Sequence, residues 1–278
     1  MRSKLFVPCS RPEFFAKAAA GDADALSFDL EDAVPGRDKA TARANLVEWL
    51  QSDAAASSAK RLIVRVNAPD TPFFADDLAA LAGLRIDIVN LPKAESPNVV
   101  RAVVARMDEV SIAADLLVTI ENASGLSRAA AIADANPRVM GLQVGLNDLF
   151  ASLGIDRNDV RHTHAALWSI RLAAGEASRI AFDGAWPDLA DDDGFRAEAE
   201  LARSLGFLGK SCIHPRQVTI ANKVFDKGED MARAQRLLAA AAEAEARGQG
   251  AFLFEGAMVD APAIAAARRT VRRRGESA

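Results

Sequence analysis

The sequence predicts an α/β protein of the (β/α)8 TIM-barrel class with a C-terminal helix-hairpin-helix extension. Three observations carry this. Apolar, β-branched runs of strand length alternate with Ala-rich amphipathic stretches at the spacing of βα units. Eight such runs occur, and the length left over falls at the C-terminus. Charged and amide residues collect just after the runs, at the edge where a barrel carries its site. With 278 residues, 50% hydrophobic and 26% charged, the chain has material for a full core.

The first run, SKLFVP (3–8), follows Arg2 directly and leads into EFFAKAAAG as a helix. ADALSFDLE (23–31) leads into DKATARANLVEWLQ, RLIVRVN (61–67) into FFADDLAALAGL, and IDIVNLPK (86–93) into NVVRAVVARM. LLVTIE (116–121) is followed by SRAAAIADAN, MGLQVGL (140–146) by HAALWSIRLAAGEA, and RIAFDG (179–184) by GFRAEAELARSLG; GKSCIHP (209–215) is the eighth. Residues 1–225 are therefore expected to form the barrel domain, and 226–278 an extension. In the extension MARAQRLLAAAAEAEARGQG reads as a long helix closed by Gly, GAFLFEGAMVD as a hairpin and APAIAAARRTVRRR as a last helix. It exceeds what a barrel needs and is a candidate lid or oligomerisation arm. An open doubly wound sheet has the same alternation. However, no GxGxxG follows the first strand and no GxxxxGK[ST] occurs, which sets aside dinucleotide and P-loop chemistry.

A net charge of −4 gives no electrostatic reason to expect nucleic acid. The basic run Arg268 to Arg274 reads as a solvated helix end that complements the helix dipole. Cys9 and Cys212 sit in apolar, strand-like surroundings and read as free buried thiols of a reducing compartment rather than a disulfide framework. No cleavable signal and no span of membrane length is found, so the expectation is a cytoplasmic protein with no membrane partner.

The chemistry centres on LLVTIENAS (116–124) and VMGLQVGLNDL (139–149), two buried-strand runs that close on Glu121 and Asp148, 27 residues apart. If the strands are parallel neighbours, both carboxylates emerge at one edge, where two hard oxygen donors with room for water and substrate oxygens suit Mg²⁺. A capping Glu and an N-cap Asp account for the same residues. The same edge gathers Asp29, Glu31, Asp32, Arg65, Asn67, Lys93, Glu95, Asp183 and His214. A Lys93–Glu95 surface pair and an Asp32 N-cap are the plain alternatives there. Arg65 offers a planar fork for a carboxylate, and Mg²⁺ at Glu121 and Asp148 suits a 2-oxo acid. His162 and His164 form an HxH in a helix-entry loop, with neither a nearby Cys nor HExxH, and are expected to be solvent-exposed. His214 reads as a packing and hydrogen-bonding group.

RSKLFVP, SFDLEDAV with DKATAR, RVN, LPKAE, TIENASG, VGLNDL, LGFLGKSCIHPRQ and GAMVDAP resemble, in that order, the HpcH/HpaI aldolase/citrate lyase family, in its citrate lyase β-subunit-like branch. The resemblance implies a (β/α)8 barrel assembled as a homotrimer or hexamer, with Mg²⁺, or Mn²⁺, held by Glu121 and Asp148. It implies Arg65, Glu31 and Asp260 as catalytic residues, with Arg65, Glu121, Lys93 and Asp32 binding substrate. The implied reaction is retro-Claisen cleavage of a 3-hydroxyacyl-CoA thioester, such as citryl-, malyl- or citramalyl-CoA, to acetyl-CoA and a 2-oxo acid. Asp260, in MVDAP, would reach a neighbouring subunit's mouth and exchange a proton with the acetyl-CoA methyl; an N-cap for the last helix is its other reading.

The chain departs from the family pattern at Cys9, where relatives have Gly, at Asn122 and at Asn147. The first is expected to reshape its loop, the last to remove a negative charge beside the metal. Alternatives left open are a CoA-independent class II aldolase of 2-oxo acids, an acyl-CoA thioesterase, and a citrate lyase β subunit dependent on an acyl-carrier protein. A purely structural or binding role is the last alternative.

Overall fold

Eight strands form the first part of the chain: β1 (Ser3–Pro8), β2 (Ala25–Asp29), β3 (Arg61–Arg65), β4 (Ile88–Leu91), β5 (Asp115–Ile120), β6 (Val139–Val144), β7 (Ile180–Phe182) and β8 (Lys210–Cys212). All pair in parallel, in sequence order, with β8 returning to β1. A parallel bridge between Asp183 and Lys210 joins β7 to β8, so the sheet closes into the expected barrel. The structure is a computed structural model and describes residues 1–275.

Most of the predicted strands are cut back at their carboxyl ends. Glu31, Asn67, Lys93, Glu121, Leu146 and His214 all lie outside the ladders. The chain leaves the sheet there on its way to the following helix, and both side chains and backbone groups carry polar contacts beyond the ladders. Period-2 alternation explains what the barrel holds inside. At the amino end Ala25, Ile63, Ile88, Leu117 and Phe182 form an apolar cluster of their own. Two residues further along the same strands stand Ser27, Arg65, Asn90 and Thr119, and two more reach Asp29 and Glu121. The interior thus grades from apolar through amide to charged, and the charged end is the mouth. Lys4 spans the grade, its buried ammonium donating to Asn90 Oδ1 at 3.2 Å and to Gln143 Oε1.

The helices are α1 (Phe15–Ala20), α2 (Lys39–Leu50), α3 (Asp53–Ala56), α4 (Phe74–Leu81), α5 (Pro97–Glu109), α6 (Ala123–Ser127), α7 (Ala129–Ala133), α8 (Leu146–Leu153), α9 (Val160–Glu176), α10 (Asp192–Ser204) and α11 (Pro215–Val224). Their apolar stripes pack on the outward strand residues, among them Leu26, Phe28, Val64, Val89 and Val118, to make the main core. Ser96 and Asp191 cap α5 and α10 through their side chains, accepting from Val99 and Gly194.

The chain divides into two compact units, Met1–Phe225 and Asp226–Ala278. The second contains α12 (Gly228–Ala246), the antiparallel hairpin β9 (Phe252–Phe254) and β10 (Ala257–Val259), and α13 (Ala261–Gly275). Glu255 and Gly256 form the two-residue hairpin loop, both at positive φ, 49° and 80°; that twist matches the flanking strands. Arg233 and Arg236 hold Glu255 from α12 at 2.8 and 3.2 Å. Ala234, Leu237, Val259 and Ala267 form this unit's own core. Of the basic run, Arg268 and Arg269 are exposed on α13, and the side chains of Arg272, Arg273 and Arg274 lie outside the described residues. No helix among the described residues is long and apolar enough to cross a membrane.

Candidate active site

Asp29, at the end of β2, accepts from Arg65 Nε at 2.8 Å and Nη2 at 2.6 Å, which fixes the guanidinium plane. The same carboxylate accepts the N–H groups of Glu31 at 2.9 Å and Ala33 at 3.3 Å, so it also shapes the loop behind it. That loop presents Glu31 and Asp32 to the free edge of Arg65, at 2.9 and 3.5 Å from Nη1. Lys93 Nζ closes the group from β4, 2.7 Å from Glu31 and 3.3 Å from Asp32. The plain alternative, a surface pair between Lys93 and Glu95, does not describe this contact: Lys93 pairs with Glu31 and Asp32 at the mouth. Asp32, expected as a possible N-cap, is likewise engaged by the two cations.

The backbone of Lys93 has φ 52°, a region that residues with a Cβ enter at a cost. This conformation accompanies an N–H aimed at Glu121 Oε1, 2.7 Å away. Gly145, after β6, makes room for the same side chain: a Cβ there would stand 2.5 Å from Glu121 Cβ and 2.6 Å from Oε2. Neither carboxylate of the central pair is a cap. Asn122 caps α6, accepting from Gly125 N at 2.7 Å, and Gly145 stands at the N-cap of α8, with Asp148 in that helix's first turn.

Glu121 and Asp148 line one open cavity of about 590 Å³ together with Lys93, Glu95 and Asn122. A neighbouring hollow of about 420 Å³, lined by Glu31, Asp32, Lys39 and Phe73, shares Lys93 and Asp70 with it. Burial, then the negative charges of Glu31 and Asp148, push the Glu121 carboxyl up to about 8, outweighing the Lys93 N–H. Glu31 is also raised, by burial, against the pull of Arg65 and Lys93. Burial also acts to raise Asp32, but Arg65 and Lys93 prevail and its carboxyl is lowered. Burial opposes the charge on Lys93, yet Glu31 and Asp32 prevail and its ammonium is raised.

Among the described residues no group of three or more His, Cys, Asp or Glu side chains is arranged to hold a metal. Two converging carboxylates are what Mg²⁺ takes when water and substrate oxygens complete its shell, and the raised Glu121 reflects first its burial and then the charges of Glu31 and Asp148, both of which a divalent cation would offset. The donor set fits that ion and does not fit structural zinc.

Residues 2–215 match the sequence profile of the HpcH/HpaI aldolase/citrate lyase family. The chain belongs to this family. It is 36% identical to an L-malyl-CoA/beta-methylmalyl-CoA lyase of Cereibacter sphaeroides, over 98% of this chain and 93% of that protein. It is 39% identical to a (3S)-malyl-CoA thioesterase of the same organism, over 97% and 93%. Among solved structures, protein CitE of Mycobacterium tuberculosis in complex with magnesium, acetoacetate and coenzyme A superposes with a TM-score of 0.76, at 38% identity, over 99% of this chain and 100% of that one.

Within this HpcH/HpaI family chain, Arg65, Glu31, Asp32 and Lys93 form one ion-paired group, joined to Glu121 through the Lys93 N–H, and Asp148 shares the Glu121 cavity. Asp260 belongs to the second unit, where it is exposed and its Oδ1 accepts from Ala263 N at 3.3 Å, so the capping reading describes its contact. Asp183 is corrected. It is fully buried, 2.6 Å from Lys210 Nζ, and serves the closure of the barrel rather than its mouth. His214 is exposed and caps α11, accepting from Arg216 N at 3.2 Å; it does not pack in the core. His162 and His164 are exposed as expected, but on α9 itself. Cys9 is buried, free and outside the positive-φ set, so its loop needs no Gly. Sequence reading missed the bidentate role of Asp29 and the place of Gly145; the Gly within VGLNDL was the available signal for the second.

Proposed function

We propose that the chain is a Mg²⁺-dependent carbon–carbon lyase that cleaves a 3-hydroxyacyl-CoA thioester to acetyl-CoA and a 2-oxo acid. The observation that carries this is the buried Glu121 beside Asp148, over a mouth where Arg65 and Lys93 supply the positive charge for an anionic substrate. The names of the relatives support the thioester class. Mg²⁺, or Mn²⁺ as another hard-oxygen cation, would be held by Glu121 and Asp148 and would polarise the oxo-acid carbonyl.

In this reading Arg65 orients the oxo-acid carboxylate, while Asp29 keeps the guanidinium plane fixed. Glu31 receives the substrate's hydroxyl proton; burial gives its carboxylate more basicity than an exposed Glu has. The carbon–carbon bond breaks as the hydroxyl becomes the carbonyl of the 2-oxo acid. The electron pair moves to the thioester as an enolate, and Asp260 delivers a proton to its methylene carbon. Asp32 and Lys93 hold Glu31 and the thioester end in place. The extension acts as a lid on a neighbouring subunit of a homotrimer or hexamer. Two buried free thiols fit a reducing cytoplasm.

The test is turnover of malyl-, citramalyl- and citryl-CoA by the purified protein with Mg²⁺, and with EDTA in its place. Acetyl-CoA and an oxo acid appearing only with Mg²⁺ support the lyase. The identity with the thioesterase favours a second reading, in which water attacks the thioester; free CoA with intact hydroxy acid would establish that one. No turnover of any thioester would overturn both.

Two predictions follow from this arrangement. In the metal-free protein Glu121 holds its proton up to about 8, so Mg²⁺ must displace it at lower pH. Affinity should weaken about tenfold per pH unit below that value, with proton release visible as buffer-dependent heats in calorimetry. The sign for stability is the opposite of a salt-bridged acid. The folded value stands above the ordinary 4.5, so the metal-free fold loses stability as pH rises from about 4.5 to about 8. Mg²⁺ should therefore raise Tm more at pH 8 than at pH 6; an equal shift would contradict the assignment.

Asp260→Asn should lower turnover about 100-fold with little change in Mg²⁺ affinity, as loss of a proton donor does. If the lid works between subunits, mixing this variant with inactive Glu121→Gln after dissociation should restore part of the activity. Mixed assemblies that stay inactive would overturn the lid between subunits, and unchanged turnover of Asp260→Asn would place Asp260 outside the reaction.

A further inference from the structure

The DKATAR motif has no role in the reaction just described, yet its lysine is one of the most heavily bonded side chains near the mouth. Lys39, at the start of α2, is buried, and its ammonium donates to three neutral oxygens: Leu30 O at 2.6 Å, Glu31 O at 2.7 Å and Asn67 Oδ1 at 2.6 Å. Among the described residues no carboxylate pairs with it, and a buried lysine held only by neutral oxygens is an expensive way to fill a core position. Two of its three bonds end on the main chain of the residues that carry Glu31 to the mouth.

The acceptors are themselves held. Asn67 donates to Leu30 O at 3.0 Å and to Asp77 Oδ2 at 2.6 Å, and its backbone N–H reaches the same Asp77 oxygen at 2.8 Å. Asp77, buried on α4, is paired with Arg43 of the motif at 3.1 Å. Lys39 and Arg43 thus reach the same buried cluster one helical turn apart, which is what the spacing of K and R in DKATAR provides. The loop after β2 is gripped from both sides: Asp29 takes the N–H groups of Glu31 and Ala33, and Lys39 takes the carbonyls of Leu30 and Glu31. With backbone donors and acceptors both fixed, the Glu31 and Asp32 side chains have little freedom in where they leave the loop.

We propose that Lys39 is a positioning residue for the reaction, acting through the carbonyls of Leu30 and Glu31 to hold the Glu31 and Asp32 carboxylates in register with Arg65 and Lys93. Its role in turnover rests on the lyase reading above; its role in geometry does not. Lys39 sets where the proton-accepting carboxylate stands, whereas Arg65 ends β3, Glu121 follows β5 and Asp148 lies in the first turn of α8, and the oxygens that Lys39 bonds belong to none of the three. Its loss should therefore act chiefly on the chemical step, with a smaller effect on thioester binding through Asp32.

The experiment is Lys39→Met in the full chain, with Val104→Ala on the buried face of α5 as a control for lost stability. Lys39→Met should lower kcat about 30-fold while the KM for thioester and the Kd for Mg²⁺ change by less than about threefold; Val104→Ala should lower Tm and leave kcat alone. If Lys39→Met does not fold, Lys39→Gln, which keeps an amide donor, is judged by the same criteria. A folded variant with unchanged kcat, or with raised KM and unchanged kcat, would overturn the proposal. A crystal structure of the variant gives a readout that needs no turnover. The 2.9 Å contact from Arg65 to Glu31 and the 2.7 Å contact from Lys93 should open, and contacts that persist would overturn the proposal even if the wild-type protein cleaves no thioester.

Discussion

The Glu121→Gln protein is expected to lose at least about 10³-fold in turnover and to bind Mg²⁺ 10- to 100-fold more weakly, while becoming more stable than wild type in EDTA above pH 8. The amide keeps the shape of the side chain and one oxygen to accept the Lys93 N–H, so the geometry around Gly145 survives. What it removes is charge. The mouth crowds Asp29, Glu31, Asp32, Glu121 and Asp148 around Arg65 and Lys93, and Glu121 is the member that its own burial, and then the charges of Glu31 and Asp148, push up to about 8. Without a cation, an ionised Glu121 is a liability to the fold, and a neutral isostere relieves it. With a cation, the same charge holds the ion. Activity and metal-free stability should move in opposite directions, as they do where a fold stores strain at its site. Turnover, Mg²⁺ titration by calorimetry and a melting curve in EDTA at pH 8.5 check the three parts. A variant that is both inactive and less stable would mean that Glu121 braces the mouth rather than waiting for a cation.

How much of this was legible beforehand follows from the kind of interaction involved. The barrel was, because burying strands on both faces demands continuous apolar runs such as LLVTI and because helices between parallel strands demand amphipathic stretches. The gathering of Glu31, Arg65, Lys93, Glu121 and Asp148 at one edge followed from the barrel itself, since parallel strands put all their carboxyl ends together. The pairings did not follow. Nothing in LPKAE tells that Lys93 turns back to Glu31 and Asp32 instead of pairing with Glu95 two residues away, because that choice depends on a backbone at φ 52° fixed by tertiary contacts. Asp183 shows the opposite error. Its place after β7 suited the mouth, but the strand is only three residues long, and the next side chain is drawn inside by Lys210. A charged residue at a strand end is equally a site residue or half of a buried pair; the partner decides, and here the partner is 27 residues away.

That buried pair carries the largest expected effect on stability. Lys210→Met should cost about 3–5 kcal/mol at pH 8 and distinctly less at pH 5. The Lys210 ammonium, fully buried, stands 2.6 Å from Asp183, 2.7 Å from Glu198 and 3.2 Å from the Gly184 carbonyl. Methionine fills the volume but leaves two carboxylates close together in the interior, with Arg157, 2.6 Å from Glu198 Oε2, paired to one of them. The same residues close the barrel: Asp183 N donates to Gly209 O at 2.9 Å, and Ser211 N to Asp183 O at 3.1 Å. Losing the ammonium therefore loosens the seam between β7 and β8 as well as burying charge. Burial already pushes Asp183 up to about 6 against the pull of Lys210. Without that pull Asp183 should bind its proton still further above its unfolded value, so the variant recovers stability as pH falls and loses it as pH rises. Urea midpoints at pH 5 and pH 8 test this, since lost packing alone would give the same deficit at both. Adding Asp183→Asn to Lys210→Met should recover part of the loss at pH 8 and little at pH 5, because it removes the charge and not the cavity.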